Sequence, residues 1–292
     1  MNEHKAGFVS IVGKPNVGKS TLMNKLVGEN LSIITAKAQT TRHRIMGILN
    51  SDDFQIVYSD TPGLLEPKYQ LHEAMMNYVK VSLEDADVLL MLVEWGEKFD
   101  ELLHGRVLKT NVPIILVINK IDLGKASEWE EKKAYWQKTI QPKEIIGTSA
   151  QTGKNVNQLL PLILKYIPVH PGYYPKDELT DRSERFFSSE IIREKIFIHY
   201  GQEVPYSSEV GIEEFKDEEK IIRIRAVIYV ERESQKGIII GKAGSSLKKV
   251  GTEARLDLEK FFQKKVFLET RVKVAEDWRK QQLKVRHFGY DR

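Results

Sequence analysis

The chain has 292 residues, 41% of them hydrophobic and 29% charged, which suits about two globular domains and excludes a disordered polymer. It contains no cysteine, so disulfide scaffolds, thiolate metal sites and cysteine nucleophiles are excluded, and no apolar run approaches the ~20 residues of a membrane-spanning helix. The net charge of +4 hides an asymmetry: residues 220–292 hold 19 Lys/Arg against 9 Asp/Glu, while the rest holds 26 against 32. A basic quarter on an acidic remainder points to a polyanion partner, the plain alternative being a lysine-rich solvated surface. Met1-Asn2-Glu3-His4-Lys5 lacks the apolar core of a signal peptide, so a cytoplasmic protein is expected.

In chain order, short apolar runs predict strands at 7–12, 45–49, 54–58, 88–93, 112–118 and 144–147. Helix-length amphipathic stretches such as 71–83 and 155–166 lie between them. This alternation predicts βα units, a mostly parallel sheet and helices on both faces. Pro168, Pro171 and Pro175, with Gly172 among them, then break the texture. They place a linker at 168–179 between a domain at 1–167 and a second at 180–292. The second reads as a helix at 181–199, strands at 208–215 and 220–231, helix–turn–helix over 237–262, a strand at 265–274 and a terminal helix at 277–285. That order is α+β, without internal repeats.

Gly13-Lys14-Pro15-Asn16-Val17-Gly18-Lys19-Ser20 follows the first strand and precedes the helix opened by Thr21 and Leu22, the spacing and context of a phosphate-binding loop. Glycines let backbone N–H groups approach phosphate oxygens, and the helix N-terminus adds a positive dipole end. Lys19 can reach β- and γ-phosphates, and Ser20 offers a hydroxyl to Mg2+. Asp60-Thr61-Pro62-Gly63 ends the third strand. Asp60 can hold Mg2+ through water and Gly63 can offer its N–H to the γ-phosphate. In Gln39-Thr40-Thr41-Arg42-His43, a candidate switch loop, a threonine can ligate Mg2+ and meet the γ-phosphate; Thr41 is favoured over Thr40. Asn119-Lys120-Ile121-Asp122 sets the base. The Asp122 carboxylate can accept from both N1–H and the 2-amino group of guanine, a pairing adenine cannot offer. Asn119 either meets the base edge or ties loops together, and the Lys120 stem packs on the purine. In Thr148-Ser149-Ala150, the N–H of Ser149 or Ala150 can meet the guanine O6.

In the second domain, Ile240-Gly241-Lys242-Ala243-Gly244 carries a GxxG turn between two helices, the loop with which KH domains clamp about four nucleotides of single-stranded nucleic acid. Lys242, with Lys248 and Lys249 on the next helix, supplies charge. The stripe Leu247, Val250, Ala254, Leu258 and Phe261 reads as core. Trp278 reads as core before base stacking, and Phe288 and Tyr290 as a tail docked on the domain. The seven histidines form no metal-ligand spacing.

The chain resembles the Era family of bacterial GTPases, within the superfamily of TrmE, Era and EngA. The resemblance rests on GKPNVGKS, TTR, DTPG, NKID and TSA, then EVPYSS, ERESQKGIIIGKAG and the closing FGY, and it covers nearly the whole length. It implies an α/β P-loop GTPase domain followed by a smaller α+β type II KH domain. It further implies GTP and GDP as ligands with Mg2+, a monomer, binding to the 3′-end region of small-subunit rRNA, a role in maturation of the 30S subunit, and peripheral association with the inner membrane. The alternative function is an RNA-binding assembly factor in which GTP mainly sets domain orientation and hydrolysis is incidental. Where Ras-type enzymes place a water-orienting Gln after DxxG, this chain has Leu64, as Era-like enzymes do, so slow intrinsic hydrolysis is expected. Asn16 stands where related potassium-activated GTPases ligate K+, which adds K+ to the expected ions.

Overall fold

The computed structural model describes residues 3–290; Met1, Asn2, Asp291 and Arg292, the outer ends of the two expected domains, lie outside them. Packing divides the chain into two units. One holds the residues up to Lys68 with Met75–Asp181, and the other holds Tyr69–Ala74 with the residues from Arg182 on.

The first unit is built on a six-stranded sheet in the order β2-β3-β1-β4-β5-β6, of β1 (Lys5–Gly13), β2 (Ile45–Asn50), β3 (Phe54–Asp60), β4 (Val88–Glu94), β5 (Ile114–Asn119) and β6 (Glu144–Gly147). Only the edge strand β2 runs antiparallel to its neighbour. Val88 to Val93 of β4 are all fully buried. A strand apolar at consecutive positions suits a parallel sheet covered on both faces. One face is covered by the part of α2 (Gln70–Asp85) from Met75 on, α3 (Glu101–Val107) and α4 (Trp129–Ile140), whose Val79, Val107 and Trp136 pack with Leu89, Met91, Leu116 and Ile118. Helix α1 (Lys19–Val27) packs over β1, β2 and β3 and against the short turn at Val156–Gln158, which leads into α5 (Leu159–Leu164). The helix expected over 155–166 thus begins late, because Asn155 sits at φ 62°, outside helical space, and donates through Nδ2 to Gly147 O (2.8 Å).

The stretch 168–179, expected as a linker, is hydrogen-bonded along this first unit. Gln55 Oε1 accepts from Tyr173 and Tyr174 N–H (2.6 and 2.9 Å), and Ile48 N–H donates to Leu179 O (2.9 Å).

The second unit runs α6 (Glu184–His199), α7 (Val204–Ser207), β7 (Glu209–Asp217), β8 (Ile221–Val230), α8 (Glu233–Ile240), α9 (Ser245–Phe262), β9 (Lys265–Val274) and α10 (Gln282–His287). Its sheet, β7-β8-β9, pairs β7 with β8 antiparallel and β8 with β9 parallel. Strand β8 alternates cleanly: Ile222, Ile224, Ala226, Ile228 and Val230 face a core completed by Ile192 and Ile196 of α6, Ile239 of α8, and Val250, Ala254 and Leu258 of α9. Leu247 packs at the edge of that core, while Phe261, part of the same stripe, is 37% exposed and lies tilted against Phe187. The terminal helix is split, with a short turn at Trp278–Lys280 before α10. Trp278 is fully buried and donates through Nε1 to Ser207 O (2.8 Å). Tyr290 is buried too and donates to Glu209 Oε2 (2.5 Å), so the closing residues are docked. No helix among the described residues is long and apolar enough to cross a membrane.

Candidate functional site

The ends of β1, β3 and β5 and the loop after β6 converge on a cleft of about 570 Å3 in the first unit. Pro15, Asn16, Gly18, Lys19, Ser20 and Thr21 line it from the loop joining β1 to α1. That loop is fastened from behind. Asn119 Nδ2 donates to Val17 O (2.8 Å), and a Cβ on Gly18 (φ 100°) would lie 2.3 Å from that same nitrogen, so only glycine fits. Asn119 Oδ1 accepts from Ala150 N–H (2.9 Å) and Thr148 Oγ1 (3.2 Å). Asn119 thus makes the loop tie, one of its two expected roles, and it also lines the cleft. The same bond engages the Ala150 N–H, and Ser149 N–H donates to Lys154 O (3.0 Å). Both donors expected at guanine O6 already have partners, so either would have to share or exchange its bond to meet a base.

Lys19 is buried and folds back on the loop, donating from Nζ to Gly13 O (3.2 Å) and Lys14 O (2.9 Å). Burial lowers its pKa to about 8, against the opposing pull of Asp60 and Glu97. Beside it, Ser20 Oγ donates to Asp60 Oδ2 (2.6 Å) and lies 2.8 Å from Thr41 Oγ1, which itself reaches Asp60 Oδ2 at 3.4 Å. The structure thus gathers Ser20, Thr41 and Asp60 at one point. Thr40 is turned back into its own loop, bonding Thr35 Oγ1 (2.6 Å) and Lys37 O (2.8 Å). Asp60 Oδ1 is buried without a hydrogen-bond partner, and burial raises the pKa of this carboxyl above the ordinary range, with Ser20 and Lys19 opposing.

Gly63 lines the cleft and packs on the loop opposite, where a Cβ would lie 2.7 Å from Pro15. The next N–H, from Leu64, donates to Gly13 O (3.0 Å), and the Leu64 side chain, 1% exposed, enters the core cluster of Val12, Val79 and Leu89. Thr61 donates to Ile11 O (2.7 Å), and Thr61 and Pro62 are buried behind the cleft rather than in its lining. Gly13, Lys14, Val17 and Asp60 are likewise outside the lining. Lys14 points away, pairing with Asp100 (3.1 Å) and Glu97 (3.5 Å). At the far end, Lys120 and an exposed Asp122 line the cleft, with Lys120 Nζ donating to Glu94 Oε2 (2.8 Å). Residues the sequence reading passed over also line it, among them Ile33 to Ala36, Leu123 and Gln151. Ile33 to Ala36 lie in an irregular loop with no motif to mark them, whereas Leu123 and Gln151 directly follow the NKID and TSA stretches.

In the second unit, α8 ends at Ile240 and the chain turns through Gly241 (φ 70°), Ala243 (φ 50°) and Gly244 (φ 78°) into α9. A Cβ on Gly241 would fall 2.2 Å from Ser246 Oγ. Lys242 and Ala243 are exposed at the tip, Lys248 and Lys249 are exposed on α9, and Ile240 is half-buried. The tip is closed by Gly244 N–H, which donates to Gly241 O (3.2 Å). The turn sets an exposed, glycine-flanked backbone tip beside three cations, an arrangement suited to a sugar-phosphate backbone.

A family model described as a 50S ribosome-binding GTPase matches residues 8–120, and a KH domain model matches residues 203–279. GTPase Era of Syntrophus aciditrophicus (strain SB) is 46% identical over 292 residues, covering 98% of this chain and 95% of that protein. The chloroplastic GTPase ERA1 of Zea mays is 44% identical over 98% of this chain and 71% of its own length. A crystal structure of Era in complex with MgGDPNP and nucleotides 1506–1542 of 16S ribosomal RNA superposes with a TM-score of 0.94 at 42% identity, covering 99% of this chain and 100% of that one. A variant Era of Aquifex aeolicus bound to GDP·AlF4− gives 0.94 at 41% identity over 99% of this chain and 100% of that one.

Proposed function

We propose, from the premise that the chain belongs to the GTPase Era family and hydrolyses GTP, that its first unit is a nucleotide-state switch governing how tightly its second unit holds the 3′-end region of small-subunit rRNA during 30S maturation. The observation that carries the switch is the meeting of Ser20, Thr41 and Asp60 beside Lys19. Thr41 belongs to a stretch without regular secondary structure, between α1 and β2. Such a segment orders around a triphosphate and is released when the γ-phosphate leaves.

The donor set fits Mg2+. Two hydroxyls and a buried carboxylate meet, one carboxylate oxygen lacks a partner, and its ionised form is penalised by burial until a cation is near. Bound there with the nucleotide, Mg2+ would neutralise charge on the β- and γ-phosphate oxygens. Lys19 supplies a second positive charge, Gly63 closes the cleft over the terminal phosphate, and Asp122 selects guanine. Asn16 is the residue that would hold K+: its Nδ2 donates to Ala36 O (3.1 Å), and its carbonyl oxygen takes no hydrogen bond among the described residues. Hydrolysis unaided is slow in this reading, because the side chain after Gly63 is packed in the core and orients no water.

The test is a titration of single-stranded RNA matching the small-subunit 3′ end into the full chain, with a non-hydrolysable GTP analogue and with GDP. Tighter binding with the analogue is expected. Equal affinity overturns the switch and leaves the second unit an independent clamp.

A further inference from the structure

The end of β4 and the loop from it to α3 carry none of the nucleotide motifs, yet together they hold both ends of the cleft. At the phosphate end, Lys14 is drawn out of the cleft to Asp100 (3.1 Å) and Glu97 (3.5 Å). At the base end, Glu94 Oε2 accepts from Lys120 Nζ (2.8 Å). Next to it, the Trp95 ring lies so close to Gly124 that a Cβ there would fall 2.0 Å from Trp95 Cε2.

The loop is itself stiff. Glu97 Oε2 accepts from Glu94 N–H (3.0 Å). Asp100 N–H donates to His104 Nδ1 (3.0 Å), which leaves the His104 proton on Nε2, donated to Glu97 Oε1 (3.0 Å). Asp100 Oδ1 accepts from Leu102 and Leu103 N–H (3.1 and 3.3 Å), capping α3. His104 is fully buried and the Glu97 side chain is 6% exposed. Lys14 also holds the Asp100 carboxyl below its usual range.

We propose that Glu94, Glu97 and Asp100 are positioning residues of the nucleotide cleft: Asp100 and Glu97 hold the phosphate loop through Lys14, and Glu94 holds the purine-facing loop through Lys120. The inference rests on reading the cleft as the nucleotide site. Its physical content is preorganisation, since a loop already held in the bound geometry loses less freedom when the ligand arrives. The two ends therefore separate by ligand chemistry: Asp100 acts on whatever carries phosphates, and Glu94 only on ligands with a purine.

The experiment follows release of fluorescent GDP from the full chain and competition by guanosine diphosphate or inorganic tripolyphosphate. Asp100→Asn and Lys14→Ala should each speed release about fivefold, the scale of a partly exposed pair, with the double variant no faster than either single. Asp100→Glu should restore slow release. Asp100→Asn should weaken tripolyphosphate competition, whereas Glu94→Gln should weaken guanosine diphosphate and leave tripolyphosphate unchanged. Unchanged release, additive singles, or equal loss of tripolyphosphate in Asp100→Asn and Glu94→Gln overturns the proposal. Glu97 is the buried member, so the half-exposed Asp100 and Glu94 carry the test. Lys19→Ala reports separately on the cleft itself. If it retains normal GDP binding, the site reading fails; if it loses binding while the carboxylate variants behave as wild type, only the positioning role fails.

Discussion

Restoring a glutamine after the DxxG turn, by Leu64→Gln, should harm the protein rather than improve its catalysis. Leu64 is 1% exposed and packs with Val12, Val79 and Leu89, and its N–H is bonded to Gly13 O (3.0 Å). A carboxamide in that cluster has no partner, which costs about 1–3 kcal/mol, and part of the leucine's apolar burial is lost as well. Together the change should cost about 3 kcal/mol, or about 8 °C in Tm for a unit of this size. A Leu64→Met control should stay within about 1.5 kcal/mol. Thermal unfolding at a fixed nucleotide concentration measures this conveniently, because Trp95, Trp129 and Trp136 all lie in the first unit. Single-turnover hydrolysis should not rise. An unchanged Tm with faster hydrolysis would refute the reasoning, since it would mean that the side chain at 64 leaves the core and faces the terminal phosphate.

The pH dependence of nucleotide affinity follows from Lys19. Its pKa in the empty protein is lowered to about 8, so above that pH it is neutral and must take up a proton to meet a triphosphate. GTP affinity should fall by up to about tenfold per pH unit above 8, and a flat profile through that range would contradict it. The same lowered pKa predicts that the empty first unit gains stability as pH rises from about 8 toward 10.5, where only the unfolded chain still holds the proton. Hydrolysis should be faster in K+ than in Na+, with Asn16→Ala removing the difference; equal rates in the two salts for the parent protein dispose of the potassium site. Asp122→Asn should shift preference from GTP toward xanthosine triphosphate, read by competition, and unchanged GTP affinity would remove Asp122 from the base contact. Replacing Lys242 and Lys248 by alanine should weaken binding of single-stranded RNA and flatten its salt dependence by about 0.7 in log–log slope per lost phosphate contact, while an unchanged slope would place the RNA elsewhere.

Much of this architecture is legible in the sequence because the signals are local. The alternation of Ile222, Ile224, Ala226 and Ile228 declares one face of a strand, and Gly18-Lys19-Ser20 after an apolar run declares a turn into a helix. The two neighbouring hydroxyls of Thr40 and Thr41 part ways, Thr41 toward Ser20 and Thr40 toward Thr35, which the sequence alone does not declare. Features set by long-range packing are hidden. Nothing in NKID says whether Asn119 reaches a base or, as here, Val17 and Ala150, residues 102 and 31 positions away. Nothing in GKPNVGKS says that Lys14 faces outward, since its partners sit on a loop after β4 with no recognisable motif. Helix ends failed for a local reason read too weakly: Asn155 and Asp277 adopt positive φ, which their short polar side chains tolerate, and each delays the helix it was expected to begin.

The strip of chain around Leu179 has a consequence for solubility. Strand β2 is one of the two edge strands of the large sheet, and an open strand edge is a template for joining another molecule. Here Ile48 N–H is taken by Leu179 O and Asn50 Nδ2 donates to Glu178 O, while Gln55 of the neighbouring β3 grips Tyr173 and Tyr174, so the protein's own chain lies along that edge. A fragment cut at the prolines would strip that segment and self-associate edge to edge, whereas one carried through Asp181 keeps it and stays dispersed.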